Sequence, residues 1–377
     1  MRTSVRRIPL AEPSIGQRER DLVDQVLSSK VLALGPFAVE FEDAVAEVAG
    51  RRFGVACSSG TAGLHLAVRA LGIADGDEVI TTPFSFVASA NCLLYERAVP
   101  RFVDIEEDTL GLDPGLLEAA VGPRTKAVLP VHVFGRPCRI ADIVEFAADA
   151  GLRVIEDACE GLGSRLGDRP LGSFGDASAF AFYPNKQITT GEGGVVVTDD
   201  EDLAAMFRSL RNQGRDDDGT WLHHVRLGYN YRLDELSAAI GVAQLERRAE
   251  LVAGRARVAA AYQRALGACN WVRLPQPGAG ETVDWFVYVV RLDPAVDRAR
   301  AIRDLEALGV ASRAYFSPLH LEPLYRDAFG FRPGDFPVTE RVAASTLALP
   351  FSSVLPDDDV AYVGAALTEV VERQLGA

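Results

Sequence analysis

Residues 53–71 read FGVACSSGTAGLHLAVRAL. An apolar run of strand length (53–57) breaks at two serines and a glycine. The apolar residues that follow, Leu64, Leu66, Ala67, Val68 and Leu71, fall at helical spacing. A strand feeding directly into a helix is half of a βαβ unit, from which parallel sheets covered on both faces are built. Small residues at the junction leave backbone N–H groups uncovered at the positive end of a helix, a ready site for phosphate. Thr61 can add its hydroxyl. Taken alone, the segment reads better as an ordinary cap, since Ser and Thr are favoured N-caps in any helix.

The alternation continues on both sides. Apolar, β-branched runs recur at 78–82, 101–105, 127–133, 153–156, 178–182 and 194–198. Helical patterns cover 14–28, 36–49, 62–71 and 140–150, the second with Pro at its start and Gly50 just past its end. Together with 53–57 these runs predict an α/β fold, a mostly parallel seven-stranded sheet sandwiched by helices. No long helix separates the last two runs, which leaves one of them free to run antiparallel. After about Ala249 the texture changes. A helical segment over 234–265 leads to a hinge at Pro275, Pro277 and Gly278, then a strand (285–292), a helix (296–308) and a closing helix (357–375). The expectation is a large α/β domain over 1–249 and a smaller C-terminal α+β domain over 250–377.

Composition narrows the class. The 377 residues are 48% hydrophobic and 24% charged, the balance of a globular chain of about two domains. A net charge of −14 repels nucleic acid and anionic membranes, so a phosphate-bearing ligand needs a locally positive pocket. Five cysteines, an odd number and never in a CxxC pair, read as reduced thiols, and none has the company of a zinc site. The N-terminal MRTSVRRIPLAEPS has no apolar stretch behind its basic residues, and no run approaches the roughly 18 apolar residues of a membrane span. A cytoplasmic protein with no metal, nucleic acid or membrane partner is expected.

Two further segments can carry chemistry. In 154–160, VIEDACE, an acid pair closes a strand, where open α/β sheets place ligands. A carboxylate there can hold a cationic ring nitrogen or a metal; a solvated strand end or a helix cap is the ordinary alternative. Just downstream, Gly161, Gly163 and Gly167 imitate a dinucleotide fingerprint, but the third glycine is one place late and DRPLGSFGD cannot continue as a helix. In 180–194, FAFYPNKQITTGEGG, Lys186 follows an apolar strand and precedes two threonines and a glycine cluster. Lysine is seldom buried unless paired, and one set among apolar and small residues is a candidate nucleophile toward an aldehyde. A snorkelling surface lysine is the alternative. Phosphate cradle, strand-end carboxylate and reactive lysine are together what pyridoxal 5'-phosphate (PLP) requires. The lysine takes the aldehyde as a Schiff base, and the carboxylate keeps the pyridine nitrogen protonated so that the ring draws electrons.

At these residues the chain resembles the DegT/DnrJ/EryC1/StrS family of sugar aminotransferases, members of the fold-type I PLP-dependent transferases. The resemblance extends through SSGTAGLHLAV, GDEVITTPFSFVASAN, KAVLPVHVFG, VIEDACEGLGS, FYPNKQITTGEGG, RLGYNYRLDELSAAIGVAQLE and YFSPLHLEPLY. It is closest to the branch that aminates C4 of nucleotide-linked 4-keto-6-deoxy sugars, such as perosamine synthases. The resemblance implies Lys186 as the Schiff-base lysine and Asp157 as partner of the pyridinium. Phe86 would stack on the ring, Gly60 and Thr61 would bind phosphate, and Glu160 would sit near the cofactor hydroxyl. Asn230 would reach the phosphate from the other subunit of a homodimer. Many relatives carry a phosphate-binding Ser five places before the lysine; here that place is Ala181, and Ser59, Asn185 or water must replace it.

Tyr315 and His320 would approach the sugar, as would Tyr183; for His320 a loop histidine with a satisfied ring is an equal reading. Arg208, Arg211, Arg215, Arg226 and Arg232 form a basic island able to hold a diphosphate or a donor carboxylate. A solvated basic loop suits most of them, with Arg232 the exception beside Asn230. The implied reaction is transfer of the amino group of L-glutamate to a nucleotide-linked keto sugar by a ping-pong mechanism. Amination at C3 or of a cyclitol, sugar dehydration, and a non-catalytic regulatory protein on the same fold are the alternatives. Dehydratases of the family replace the lysine with histidine, which Lys186 argues against.

Overall fold

A computed structural model describes residues 6–216 and 222–376; the first residues of the N-terminal stretch read above, 1–5, lie outside it. Seven strands form the main sheet: β1 (Phe53–Cys57), β2 (Glu78–Thr81), β3 (Val99–Phe102), β4 (Thr125–Leu129), β5 (Arg153–Asp157), β6 (Ala177–Ala181) and β7 (Gly194–Thr198). Their order is β1-β7-β6-β5-β4-β2-β3. Every pairing is parallel except the two made by β7, which runs antiparallel to β1 and β6. The short link between β6 and β7 thus resolves as the sequence allowed.

The sheet is buried on both faces because its strands are apolar on both. In β7, Val196 packs with the cluster that takes in Leu64, Leu66 and Val68 of the Gly60–Ala70 helix. Val195 and Val197 face Phe41 and Val45 of the Pro36–Ala49 helix. Alternate residues of one strand therefore serve two cores, as the pleat requires. Ile80, Val128 and Val154 build a third with Ile140 and Ile143 of the Ile140–Asp149 helix.

A separate, C-terminal core gathers Ile8 with residues between Val258 and Val371. Its antiparallel sheet joins β8 (Val272–Arg273), β9 (Tyr288–Leu292) and β10 (Thr346–Leu349) in that order. Tyr262 stacks on Tyr288 at 4.8 Å, and the Asp357–Leu375 helix packs against the Arg248–Leu266 helix.

Some expectations shift. The run at 127–133 ends as a strand at Leu129, because Pro130 has no N–H to donate and a 3-10 turn follows at Val133–Gly135. The run at 101–105 is centred earlier, at Val99–Phe102. The 234–265 segment is two helices, Glu235–Glu246 and Arg248–Leu266, broken at Arg247, whose side chain is drawn to Glu19 at 2.8 Å. Arg208 and Arg211 do not lie in a loop. They end a helix, Glu201–Arg211, whose cap Asp200 accepts from the N–H groups of Asp202 and Leu203. All five cysteines are free thiols, and among the described residues no helix is long and apolar enough to cross a membrane.

Candidate active site

The site forms where β5 and β6 end. Strand β5 finishes on Asp157, which is 4% exposed. Its Oδ2 accepts from Ser89 Oγ at 2.6 Å, and its Oδ1 accepts from the Cys159 N–H at 3.1 Å. Ser89 is itself buried, in the short Ala88–Leu94 helix, and its Oγ lies 2.7 Å from Ser85 Oγ. Both donors are neutral, so the carboxylate keeps lone pairs and charge for a further, cationic partner.

Glu160, three residues on, is also buried. Its Oε2 accepts from the Phe134 N–H at 2.8 Å, and its Oε1 faces Lys186 Nζ at 3.4 Å. Burial raises the carboxyl's pKa; the Lys186 ammonium and the Phe134 N–H pull it back, and the nearby Asp157 adds to the rise. Lys186 comes from the loop after β6, where its N–H donates to Tyr183 O at 2.9 Å. Its side chain is only 13% exposed, so the amine is held out of bulk solvent. Nζ sits 4.0 Å from the centroid of Phe286, over the negative face of the ring. Between these groups lies Cys159. Burial pushes its thiol well above the ordinary cysteine range, and it feels the charges of Asp157, Lys186 and Glu160 together.

The helix that opens at Gly60 points its N-terminus here. Ser59 caps it, its Oγ accepting from Ala62 N–H at 3.1 Å, and Gly63 N–H bonds Ser59 O at 3.0 Å. The N–H groups of Gly60 and Thr61, in the first turn, have no acceptor within the helix. Glycine is required at this approach. A Cβ on Gly60 would lie 2.5 Å from Ala181 Cβ and 2.9 Å from Cys159 Sγ; one on Gly194 would lie 2.3 Å from Ser59 O. The helix end is thus pressed against β6 and against Cys159, the residue just before Glu160.

Other residues fall around this centre at different ranges. Phe86 is 59% exposed, three residues before Ser89, and Tyr183 is 52% exposed. The phenol pKa of Tyr315 is raised by burial and by Glu160 and pulled back by Asn185, while the buried Asn185 Oδ1 has no partner among the described residues. Tyr315 stacks on Phe316 and Phe134. Asn230 is exposed, next to Tyr231, whose carbonyl accepts from Ser58 N–H at 2.8 Å. Arg232 donates to Asn212 Oδ1 at 3.0 Å. His320 is fully buried, its Nε2 3.0 Å from Glu340 Oε1 and its ring edge against Phe336. One ring nitrogen is thus paired, while the buried Nδ1 has no partner among the described residues.

Of the basic island, Arg211 bonds Glu42 and the Ala56 carbonyl, and Arg226 bonds Ser209. A cavity of about 420 Å³ between the two cores, lined by Phe134, Arg136, Trp285 and Arg291 among others, contains neither Lys186 nor Asp157. Sequence reasoning did not single out Ser89, Phe286 or the Phe134 N–H. The Ser89 signal was present, a Ser inside PFSFVASAN; Phe286 comes from a segment 100 residues beyond the lysine and gave none.

Comparison with known proteins follows the same outline. The model of the DegT/DnrJ/EryC1/StrS aminotransferase family matches residues 13–368. GDP-perosamine synthase of Caulobacter vibrioides is 41% identical over 370 residues, covering 97% of this chain and 98% of its own. Among solved structures, DesI in the presence of its TDP-sugar product is similar at TM-score 0.90 and 37% identity, with 98% and 95% of the two chains covered. DesV of S. venezuelae, in complex with a ketimine intermediate, is similar at TM-score 0.91 and 33% identity, over 97% and 99%.

Proposed function

The chain belongs to the DegT/DnrJ/EryC1/StrS aminotransferase family, and from that premise we propose that it uses PLP to move the amino group of L-glutamate onto a nucleotide-linked keto sugar, a 4-keto-6-deoxyhexose. The observation that carries the reading is the setting of Lys186. Its amine is buried against Glu160 and Phe286, within electrostatic reach of the thiol that also feels Asp157. The likeness to a GDP-perosamine synthase and to a protein solved with its TDP-sugar product supports the substrate class.

The residues fit the cofactor. Gly60 and Thr61 offer first-turn N–H donors in a space that a Cβ would fill, and Asp157 offers a buried carboxylate. In place of a hydroxyl at Ala181, Ser59 is the donor we favour. Its oxygen already accepts from Ala62, which leaves its proton to point outward. The Asn185 orphan is an oxygen, an acceptor, and so the wrong polarity for phosphate. When bound, PLP supplies an electron sink for charge developing at the amino-acid Cα.

The chain's own groups do the rest. Asp157 holds the ring nitrogen's proton. Lys186 Nζ holds the cofactor, then takes the proton from the donor Cα, and in the second half-reaction gives a proton to the sugar carbon that gains nitrogen. Glu160, beside that amine, orients it. Phe86 covers the ring, and Tyr183, Tyr315 and Arg232 face the sugar nucleotide, while His320, buried against Glu340 and Phe336, stands behind them. Asn230 serves the phosphate of the partner subunit in a homodimer. We read the large domain as 1–249, the small one as 250–377, and the setting as the cytoplasm. Initial rates against both substrates test the reading. Parallel lines are expected for a ping-pong cycle, together with one 2-oxoglutarate released per site from glutamate alone. Intersecting lines, or no half-reaction, overturn it.

A further inference from the structure

Arg255 is an unusual residue for its position. It lies in the Arg248–Leu266 helix, is 4% exposed, and pairs with no carboxylate among the described residues. Its guanidinium donates to two backbone carbonyls, Nη2 to Lys186 O at 2.6 Å and Nη1 to Phe286 O at 2.8 Å, while its buried Nε has no partner among the described residues. Burial of a cation without a counter-charge is costly, and desolvation lowers this group's pKa to about 10.

The two carbonyls belong to residues whose side chains meet. Lys186 Nζ lies 4.0 Å from the centre of the Phe286 ring. A neighbouring bond joins the same two segments: Gln187 Nε2 donates to Asp284 O at 3.0 Å as well as to Glu160 O at 2.6 Å, and Arg248 pairs Asp284 to the helix that carries Arg255. The loop of the lysine and the segment 284–286, from different parts of the chain, are joined by these side chains. Among these three side chains, Arg255 is the one that bonds the lysine's own backbone. A planar fork spans two carbonyls in a way that a point charge cannot.

We propose that Arg255 is a positioning residue for Lys186, tying the lysine's carbonyl to that of Phe286 so that the ring backs the amine. The proposal rests on the reading of Lys186 as the cofactor's lysine. Arg255 touches neither the reacting atoms nor the phosphate cradle, so its effect must appear only where the amine reacts.

Two ligands separate these cases. Full-length protein freed of cofactor is mixed with PLP and the chromophore is followed. In that step the lysine nitrogen replaces the aldehyde oxygen, which leaves as water. Pyridoxamine phosphate has an amine where PLP has the aldehyde, so it fills the same cradle without bonding the lysine. Arg255→Met is expected to slow chromophore formation about tenfold or more, while the Kd for pyridoxamine phosphate stays within about twofold of wild type. Arg255→Lys, with one point donor, should fall between, and it carries the same test if Arg255→Met does not fold. Phe286→Leu should show the same split, and the double variant should be about as slow as the slower single one, because both act through one contact. Equal losses for both ligands, wild-type kinetics in the Arg255 variants, or additive effects overturn the proposal. A wild-type protein that takes up neither ligand overturns the cofactor reading, and the proposal with it.

Discussion

Gly60→Ala probes the cradle at its tightest point. The added methyl would stand 2.5 Å from Ala181 Cβ and 2.9 Å from Cys159 Sγ. Carbon atoms rest at about 3.5–4.0 Å, so the first contact is about 1 Å short. Neither neighbour is the free end of a long side chain. Ala181 is fixed in β6, and Cys159 lies two residues after Asp157, whose Oδ1 holds its N–H. The helix end must therefore lift from the sheet. Overpacking of this kind costs about 1–3 kcal/mol, a fall of several degrees in Tm for a chain this long.

The functional cost is separate. A lifted helix end moves the Gly60 and Thr61 N–H groups, so affinity for PLP and for pyridoxamine phosphate should drop together, unlike the split expected at Arg255. The structure also names the relief. Ala181→Gly removes the nearer obstacle and leaves the sulfur and the position-181 Cα, the latter at 3.3 Å, so the double variant should recover about half of the lost Tm. Thermal melts and ligand titrations of the two single variants and the double variant decide it. A Gly60→Ala protein with wild-type Tm and wild-type affinity, or one that Ala181→Gly does nothing to restore, refutes the cradle as described.

Three other perturbations follow from the contacts. Ser89→Ala removes the 2.6 Å hydrogen bond to Asp157, and a bond to a charged acceptor is worth about 1.5–3 kcal/mol; kcat should fall about tenfold or more with KM for the sugar little changed, as steady-state kinetics would show. Arg211→Met breaks a pair whose side chains are 13% and 6% exposed, leaving Glu42 buried without its cation. About 3–5 kcal/mol of stability should be lost with no effect on KM for the sugar nucleotide; a KM effect alone would restore the basic-island reading. Glu107 is held down to about 2 by hydrogen bonds from Arg291 and Arg341. Its folded pKa is depressed, so the stability it adds is present above the usual carboxylate range and is lost as pH falls toward about 2. Its side chain is 41% exposed, so Glu107→Gln should cost no more than about 1 kcal/mol at pH 7, and its Tm gap from wild type should narrow as pH falls below the usual carboxylate range and close only toward about 2.

Much of this architecture is legible in the chain. The strand runs at 53–57 and 194–198 and the helices at 36–49 and 357–375 coincide with those observed, because each is bounded by a clear breaker or cap and has an unambiguous period. The edges of β3 and β4 slipped where prolines interrupt apolar runs, since hydrophobicity alone does not register a missing donor. The Glu201–Arg211 helix was overlooked, although DDED supplies its cap, because its arginines drew a functional reading first. In the site, the residues that sit at strand ends, Asp157 and Lys186, could be read from position. Their supports could not. Ser89, Phe286 and Arg255 come from three other elements, and only the folded chain brings them to one place.

The account turns on which nitrogen carries the cofactor. Protein loaded with PLP, reduced with borohydride, digested and sequenced by mass spectrometry should carry the phosphopyridoxyl group on Lys186, and Lys186→Ala should carry none. A label on Lys30 or Lys126, or a label that survives Lys186→Ala, would contradict it.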